Sequence, residues 1–177
     1  NSQYFWGSGY AKRMPDFWEL IKAEEHRNGK VFDLKPEKTS QIDIGWIYSA
    51  GIELSTALYY GEIKYYILID SSGLGTISKN IDATVWGWEV CINGPINLNW
   101  STQATLCYSH GNNYTENRPL DQISPMEARV SLNYQKEAWT AGLYVRSVAE
   151  QDKVAIGQGN ISGQDLGETE GFNILSF

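Results

Sequence analysis

The sequence has few of the residues that build metal sites, disulfide frameworks or membrane-spanning helices. Only two cysteines and two histidines occur among its 177 residues. Cys91 and Cys107 lack the C-x-x-C spacing of redox and zinc motifs, and two cysteines cannot form a disulfide scaffold. His26 and His110 have no histidine partner at a ligand spacing, so a zinc site has little support. No apolar run approaches the ~20 residues of a membrane-spanning helix, which excludes a helical membrane protein.

The sequence also has no cluster of basic residues. The formal charge is −7 and the isoelectric point is about 4.8, so we expect no nucleic-acid partner. The glycines of loop 71–76 lack the lysine of a phosphate-binding loop. Carboxylate pairs for glycoside hydrolysis could be drawn from Glu53, Glu62, Asp82 and Glu89. Any acidic chain offers such pairs, and we predict that the protein is not an enzyme.

Aromatic residues are abundant, with 7 Trp and 11 Tyr against 5 Phe. Tryptophan and tyrosine combine an apolar body with a polar tip, which suits surfaces that are partly apolar and partly wet. Carbohydrate-binding faces and the interface belts of membrane proteins both fit this description.

The dominant sequence pattern is a period of two, which is typical of strands with two different faces. It predicts three hairpins, 41–48 with 52–58, 84–92 with 96–108, and 128–134 with 139–145. Their turns are predicted at 49–51, 93–95 and 135–137. In each hairpin one face is apolar and the other is polar or small.

The connections between hairpins are long and polar, at 12–38, 70–80, 110–125 and 149–170. Unstructured loops longer than ~12–15 residues are uncommon in soluble domains. Alternating short and long connections are typical of outer-membrane barrels, which have short periplasmic turns and long extracellular loops. Strand 96–109 is long enough to cross a membrane, which takes ~9–11 residues.

Two interpretations assign the apolar face differently. Trp46, Tyr48, Tyr134 and Trp139 lie near the short turns, as in an aromatic girdle around a membrane barrel. The alternative is a soluble, aromatic-rich β-sandwich that binds carbohydrate. Its candidate stacking platforms are Trp46, Trp86, Trp88 and Trp100. The sandwich predicts a buried apolar face, whereas the barrel predicts an apolar face that contacts lipid.

One segment departs from the strand pattern. Asp16 and Glu19 have the spacing of a capping box, which predicts a helical turn or two. Phe17, Leu20 and Ile21 share one face of this helix, and Gly29 can end it.

The polar face is predicted to carry both cysteines and two arginines. Cys91 and Cys107 should lie there as free thiols, with Cys91 opposite Leu98 or Asn99. Arg129 and Arg146 also face this side. In a barrel interior we expect them to be solvated or paired, and in a sandwich they would be ordinary surface charges.

Several sequence strings resemble TonB-dependent outer-membrane receptors, in order along nearly the whole chain. They are RMPDFWEL at 13–20, LKPEKTSQIDIG at 34–45, the segment 80–89, and PLDQISPMEAR at 119–129. The tail from 148 to 165 is most similar to the copper-receptor branch of the family.

This resemblance implies an all-β fold, namely part of an antiparallel up-and-down outer-membrane β-barrel of about eight long strands. Residues 1–177 would form a partial barrel domain, and we expect the plug domain and the final strands to be absent. The open edges would then close into a small barrel, associate with another copy, or belong to a refolded or detergent-bound species.

The implied function is uptake of a metal ion or metal chelate at the bacterial outer membrane. The implied partners are TonB, through the plug region of the full-length receptor, outer-membrane lipid and the metal ligand, with no cofactor. In the copper-receptor relatives, the metal ligands are associated mainly with the plug. No ligand role is therefore transferred to Met14, His26, Cys107, His110 or Met126, and the metal site stays unknown.

Overall fold

The computed structural model describes residues 1–22, 34–73, 75–159 and 166–177. Their regular structure is a single antiparallel sheet and one short helix, α1, Phe17–Ile21. The strands are β1 Ser2–Arg13, β2 Glu37–Ala50, β3 Ile52–Asp70, β4 Ile77–Pro95, β5 Trp100–Asn113, β6 Arg118–Pro119, β7 Glu127–Lys136, β8 Trp139–Val148 and β9 Phe172–Ser176. The predicted all-β antiparallel fold is confirmed. In these ranges no helix has the length and apolar character needed to cross a membrane.

Strands that follow one another in sequence lie side by side in the sheet. The order is β1-β2-β3-β4-β5-β7-β8-β9, and the two-residue β6 pairs with β5. This is the up-and-down arrangement predicted for a barrel portion. Among the described residues β1 and β9 each pair on one side only, so the sheet is open. Closure of this chain into a small barrel of its own is therefore wrong for this structure.

Short and long connections alternate as predicted. Short turns lie at Gly51, 96–99 and 137–138, all at one end of the sheet. The longer connections, at the opposite end, are 14–36, 71–76, 114–126 and 149–171. We call these two ends the short-turn end and the long-loop end.

The turn predicted at 93–95 is wrong, because β4 continues through Pro95 and the chain reverses at 96–99. The Asn97 carboxamide oxygen accepts hydrogen bonds from the backbone N–H groups of Asn99 and Trp100 at 2.9 and 3.1 Å. A side chain that bonds to its own backbone two residues on fixes a turn at that point. Cys91 consequently lies opposite Thr105, not opposite Leu98 or Asn99.

The connection predicted at 70–80 is shorter than expected because β3 and β4 extend further. A β-bulge interrupts their pairing, with Lys64 and Tyr65 both opposite Asp82. Tyr65 adopts a φ of 58°, and the Asp82 carboxylate accepts its backbone N–H at 3.1 Å. A bulge changes which face the following residues point to. Leu68 therefore shares a face with Ile63, although one number is even and the other odd.

The apolar face of the sheet is exposed. A row of large side chains crosses four strands, with Trp6 opposite Ile44, Ile44 opposite Leu58 and Leu58 opposite Trp88. Ile44 and Leu58 are about half exposed, at 50% and 49%. The described residues contain no second sheet to cover this face. The sandwich alternative is therefore not favoured, since it requires the apolar face to be buried.

The buried core lies at the long-loop end of β3 and β4. On the polar side of this extension Ile63, Leu68, Ile81, Ala83 and Leu120 form one cluster. On its other side Leu34 and Ile67 pack against Leu20 of α1. Because loops cover both sides of the extension, this end of the sheet has an interior of its own.

Helix α1 begins as predicted. The Asp16 carboxylate accepts the Glu19 backbone N–H at 2.8 Å, and the Glu19 carboxylate accepts the Asp16 N–H at 2.8 Å. Glu19 also pairs with Arg13 at 2.9 Å, which joins the helix to the end of β1. The helix ends at Ile21, and Gly29 lies outside the described residues.

Candidate functional site

The polar face of the sheet carries a small network of charges at β7 and β8. Arg129 and Arg146 lie directly opposite each other. Arg146 donates two hydrogen bonds to the Glu127 carboxylate, both 2.9 Å, and Arg129 also pairs with Glu127. The prediction that both arginines face the polar side is thus confirmed, and they are paired. One carboxylate serves two cations, so the local charge of this group is positive.

Two aromatic side chains on the polar face lie against glycines of the neighbouring strand. Phe5 covers Gly45, and Tyr59 covers Gly87. The Tyr59 hydroxyl also lies 2.9 Å from the Ser109 hydroxyl oxygen. Because glycine has no side chain, these rings can lie flat along the sheet. The space above the polar face is thereby left open to other groups.

The two cysteines lie on the polar face and are free thiols. The Cys91 thiol donates to the Glu89 carboxylate at 3.1 Å. Cys107 lies opposite Glu89 on the adjacent strand, and its thiol donates to the Glu127 carbonyl at 3.7 Å.

A buried polar cluster joins three connections at the long-loop end. We call it the loop clamp; its members are Asp70, Lys79, Asn113, Glu116 and Gln158. Lys79 pairs with Asp70 at 2.7 Å and also with Glu116. The Gln158 amide donates to Glu116 at 3.0 Å and to Asp70 at 3.3 Å, and Asn113 donates to Glu116 at 3.2 Å. Asn113 and Gln158 are each only 1% exposed.

Backbone hydrogen bonds extend the clamp along the edge of β3. The Ser71 N–H donates to the Gly157 carbonyl at 2.6 Å, and the Gly159 N–H donates to the Ile69 carbonyl at 2.8 Å. The Ala155 N–H donates to the Asp121 carboxylate at 3.1 Å. Residues 155–159 are thereby fixed to both β3 and the 114–126 connection.

The clamp depends on two ionised carboxylates. Burial opposes the ionisation of Asp70, but hydrogen bonds from Lys79 and Ser72 outweigh it and hold its pKa well below the usual range. Burial likewise opposes the ionisation of Glu116, and hydrogen bonds from Lys79 and Gln158 lower its pKa overall. Both groups therefore stay charged at neutral pH.

Acidification is expected to loosen the loop clamp. Each lowered pKa contributes stability that is present above the ordinary values, 3.8 for Asp70 and 4.5 for Glu116, and that is lost as the pH falls through the folded-state values. In the folded protein, hydrogen-exchange protection of residues 155–159 should be constant from pH 7 to about pH 5 and fall below about pH 4. Residues 100–104 of β5, which contain no carboxylate, provide the internal control. Unchanged loop protection at pH 3 would contradict the expectation.

Two cavities flank the clamp region. One of about 530 Å³ lies between α1 and β3, where Arg13, Trp18 and Tyr66 are among its lining residues. The other, of about 220 Å³, is lined in part by His110 and Met126.

Of the five residues to which no ligand role was transferred, the four that the structure describes do not converge on one site. The His110 ring lies beside the Trp86 ring on the apolar face, with 5.7 Å between the ring centres, whereas Cys107 lies on the polar face. Met14 is 64% exposed after β1, and His26 lies outside the described residues. His110 and Met126 line a common cavity. Within the part of the chain that is described, no three His, Cys, Asp or Glu side chains form a metal-binding group.

The single open sheet, the exposed apolar face and the loops gathered at one end agree with a family comparison. The family model described as "TonB dependent receptor-like, beta-barrel" matches residues 4–177. The chain belongs to the TonB-dependent receptor β-barrel family. Barrels of this family are bacterial outer-membrane proteins, and the family consists of receptors and transporters instead of enzymes.

Solved structures show the same similarity. The copper transporter OprC is 36% identical, with a TM-score of 0.89, over 98% of this chain and 28% of that protein. The ferric-catecholate import receptor Fiu from E. coli K12 is 16% identical, with a TM-score of 0.71, over 99% of this chain and 26% of that one. The FrpB iron transporter from Neisseria meningitidis is 15% identical, with a TM-score of 0.70, over 98% of this chain and 28% of that one.

These comparisons differ in what they support. The likeness to Fiu and FrpB shows the fold alone, whereas the likeness to OprC also extends to sequence. The chain spans about a quarter of the length of each of these three proteins. No curated protein sequence matches it.

The loop clamp was not predicted from the sequence. Its residues are spread between positions 70 and 158, and apart from Asn113 and Glu116, three positions apart, they share neither a short spacing nor a periodic pattern. Asp70 and Lys79 lie near the two ends of the connection predicted at 70–80, which gave a weak local signal.

Proposed function

We propose that this chain is a segment of an outer-membrane receptor barrel that takes up a metal ion or metal chelate, with copper as the first candidate. The observation that carries the proposal is the 36% identity to the copper transporter OprC over 98% of the chain. In the complete receptor, a plug region outside these residues would contact TonB, which supplies the energy for import.

The role proposed for residues 1–177 is structural and requires no bond chemistry. The polar face would line the barrel interior, and the apolar face would contact lipid. The loop clamp would hold the 71–76, 114–126 and 149–159 connections together above the barrel, where a receptor meets its ligand. The edges of β1 and β9 would pair with strands from the rest of the barrel, since unpaired strand edges are not tolerated in lipid.

The proposal is tested with the gene of the complete receptor. Deleting the gene is expected to reduce copper accumulation of cells grown in copper-limited medium, as measured by elemental mass spectrometry, and a plasmid copy should restore it. A parallel measurement of iron accumulation with a ferric catecholate is the control for cargo.

A deletion that lowers iron but not copper accumulation would refute copper as the cargo and support a chelate. A strain in which neither metal changes under limitation of either would refute the proposed uptake function.

A further inference from the structure

Three lysines line up across three strands at the long-loop end of the apolar face. Lys12 lies directly opposite Lys38, and Lys38 lies directly opposite Lys64. All three side chains are exposed. We call this set the lysine row. Like charges directly opposite each other on neighbouring strands are destabilising, so the row is unfavourable unless an anion neutralises it.

The surroundings of the row do not fully neutralise it. Lys64 pairs with Asp82 at 3.0 Å, and Glu62 is exposed on the same face of β3, two residues nearer the short-turn end. A fourth lysine, Lys35, adds another positive charge. Glu37 beside Lys38 pairs with Arg13, so among the described residues of this face four lysines lie near two carboxylates, in a chain whose overall formal charge is −7.

Two of these lysines make cation–π contacts with the ring of Tyr65 at the β-bulge. The ammonium groups of Lys35 and Lys38 lie 4.8 and 5.5 Å from the centre of its ring. The same bulge presents Lys64 beside Asp82. The bulge therefore concentrates positive charge at one place on the outer surface.

The row lies just beyond the apolar band. Four residues nearer the short-turn end, Ile42, Tyr60 and Trp86 form a row of exposed apolar and aromatic side chains on the same face. Four strand residues measure about 13 Å, or about 10 Å along the membrane normal at a tilt of about 40°. The headgroup region extends about 5–8 Å beyond the hydrocarbon core on each side, and the long lysine side chains can reach into it from the row.

We propose that the lysine row binds the phosphate groups of a lipid headgroup in the outer leaflet. This inference rests on the proposed placement of the barrel in the outer membrane. The acyl chains of the same lipid would lie along the aromatic and aliphatic band below the row. A lipid would contact both the lysine row and the apolar band below it, whereas free phosphate would contact only the lysines.

The test uses the complete receptor, purified in detergent and stripped of lipid, with lipid A bearing two phosphates as the probe. Each lysine near an anionic surface contributes about 1 kcal/mol to binding. The single variant Lys38→Gln is therefore expected to weaken lipid binding about fivefold, and the double variant Lys12→Gln with Lys38→Gln about thirtyfold. The matched control is Lys136→Gln, an exposed lysine on the same face at the short-turn end, which should change affinity less than twofold. Lipid retention is measured by native mass spectrometry.

Dephosphorylated lipid A should bind the unmodified receptor as weakly as the double variant binds the intact lipid. Equal lipid binding by the lysine variants and the unmodified receptor would overturn the lysine row as the site. Displacement of lipid A by millimolar inorganic phosphate would also overturn it, in favour of a free-phosphate site. Absence of the unmodified receptor from the outer-membrane fraction of cells would refute the proposed location, and the inference with it.

Discussion

Replacing Lys79 with methionine is expected to release the long loops from the sheet while the strands remain paired. The ammonium group of Lys79 pairs with Asp70 and Glu116, and its side chain is only 18% exposed. Removing one partner of a buried ion pair leaves an uncompensated charge and typically costs ~3–5 kcal/mol. We expect about 3 kcal/mol here because water reaches the edges of the cluster.

Hydrogen exchange in the complete receptor measures this effect. Amides of residues 114–126 and 155–159 should exchange about 100-fold faster in Lys79→Met than in the unmodified receptor. Amides of β7 should exchange at the same rate in both proteins. Lys136→Met removes an exposed lysine at the opposite end of the sheet and should change neither region.

A rescue variant separates lost charge balance from lost packing. Adding Asp70→Asn and Glu116→Gln to Lys79→Met removes the unpaired charges, since neutral amides occupy the same volume as the carboxylates. More than half of the lost protection should return. Loop exchange rates in Lys79→Met that match those of Lys136→Met would show that the clamp does not hold the loops.

Replacing Gly87 with alanine is expected to destabilise the centre of the sheet. A β-carbon at this position would lie 2.5 Å from the Tyr108 carbonyl oxygen and 2.6 Å from the Tyr59 hydroxyl. The carbonyl belongs to the backbone of β5, which cannot move away without disturbing its pairing. We expect the free energy of unfolding to fall by about 1–3 kcal/mol, the usual cost of overpacking.

Denaturant unfolding of the complete receptor in lipid bilayers, followed by tryptophan fluorescence, measures the change. Gly9→Ala is the matched control, because a β-carbon there would have no atom within 4 Å. Equal unfolding midpoints for the two variants would contradict the close approach of β5 to Gly87.

Local features of this fold were predictable because their causes are local. Alternation of apolar and polar residues has the period of a strand, so it identified the hairpins and both faces. The capping box of Asp16 and Glu19 needs only four consecutive residues, and its helix lies where it was predicted. The placement of Arg129 and Arg146 on the polar face follows from the same strand period.

The errors have equally specific causes. Asn93, Gly94 and Pro95 are common turn residues, but the Asn97 side chain fixes the turn further on. The extension of β3 and β4 was missed because the bulge at Tyr65 breaks the alternation there. The loop clamp could not be predicted, since hydrogen bonds between Asp70 and Gln158 join residues 88 positions apart.

The sequence by itself determined six of the strands, their two faces and the family, because period-two patterning and short motifs are properties of neighbouring residues. Tertiary structure alone decided the open sheet, the clamp and the lysine row. The sequence contains no basic cluster, since Lys12, Lys38 and Lys64 are 26 residues apart in each step. Only the register of β1, β2 and β3 places them side by side. Strand pairing thus creates on the folded surface a concentration of charge that the linear chain does not have.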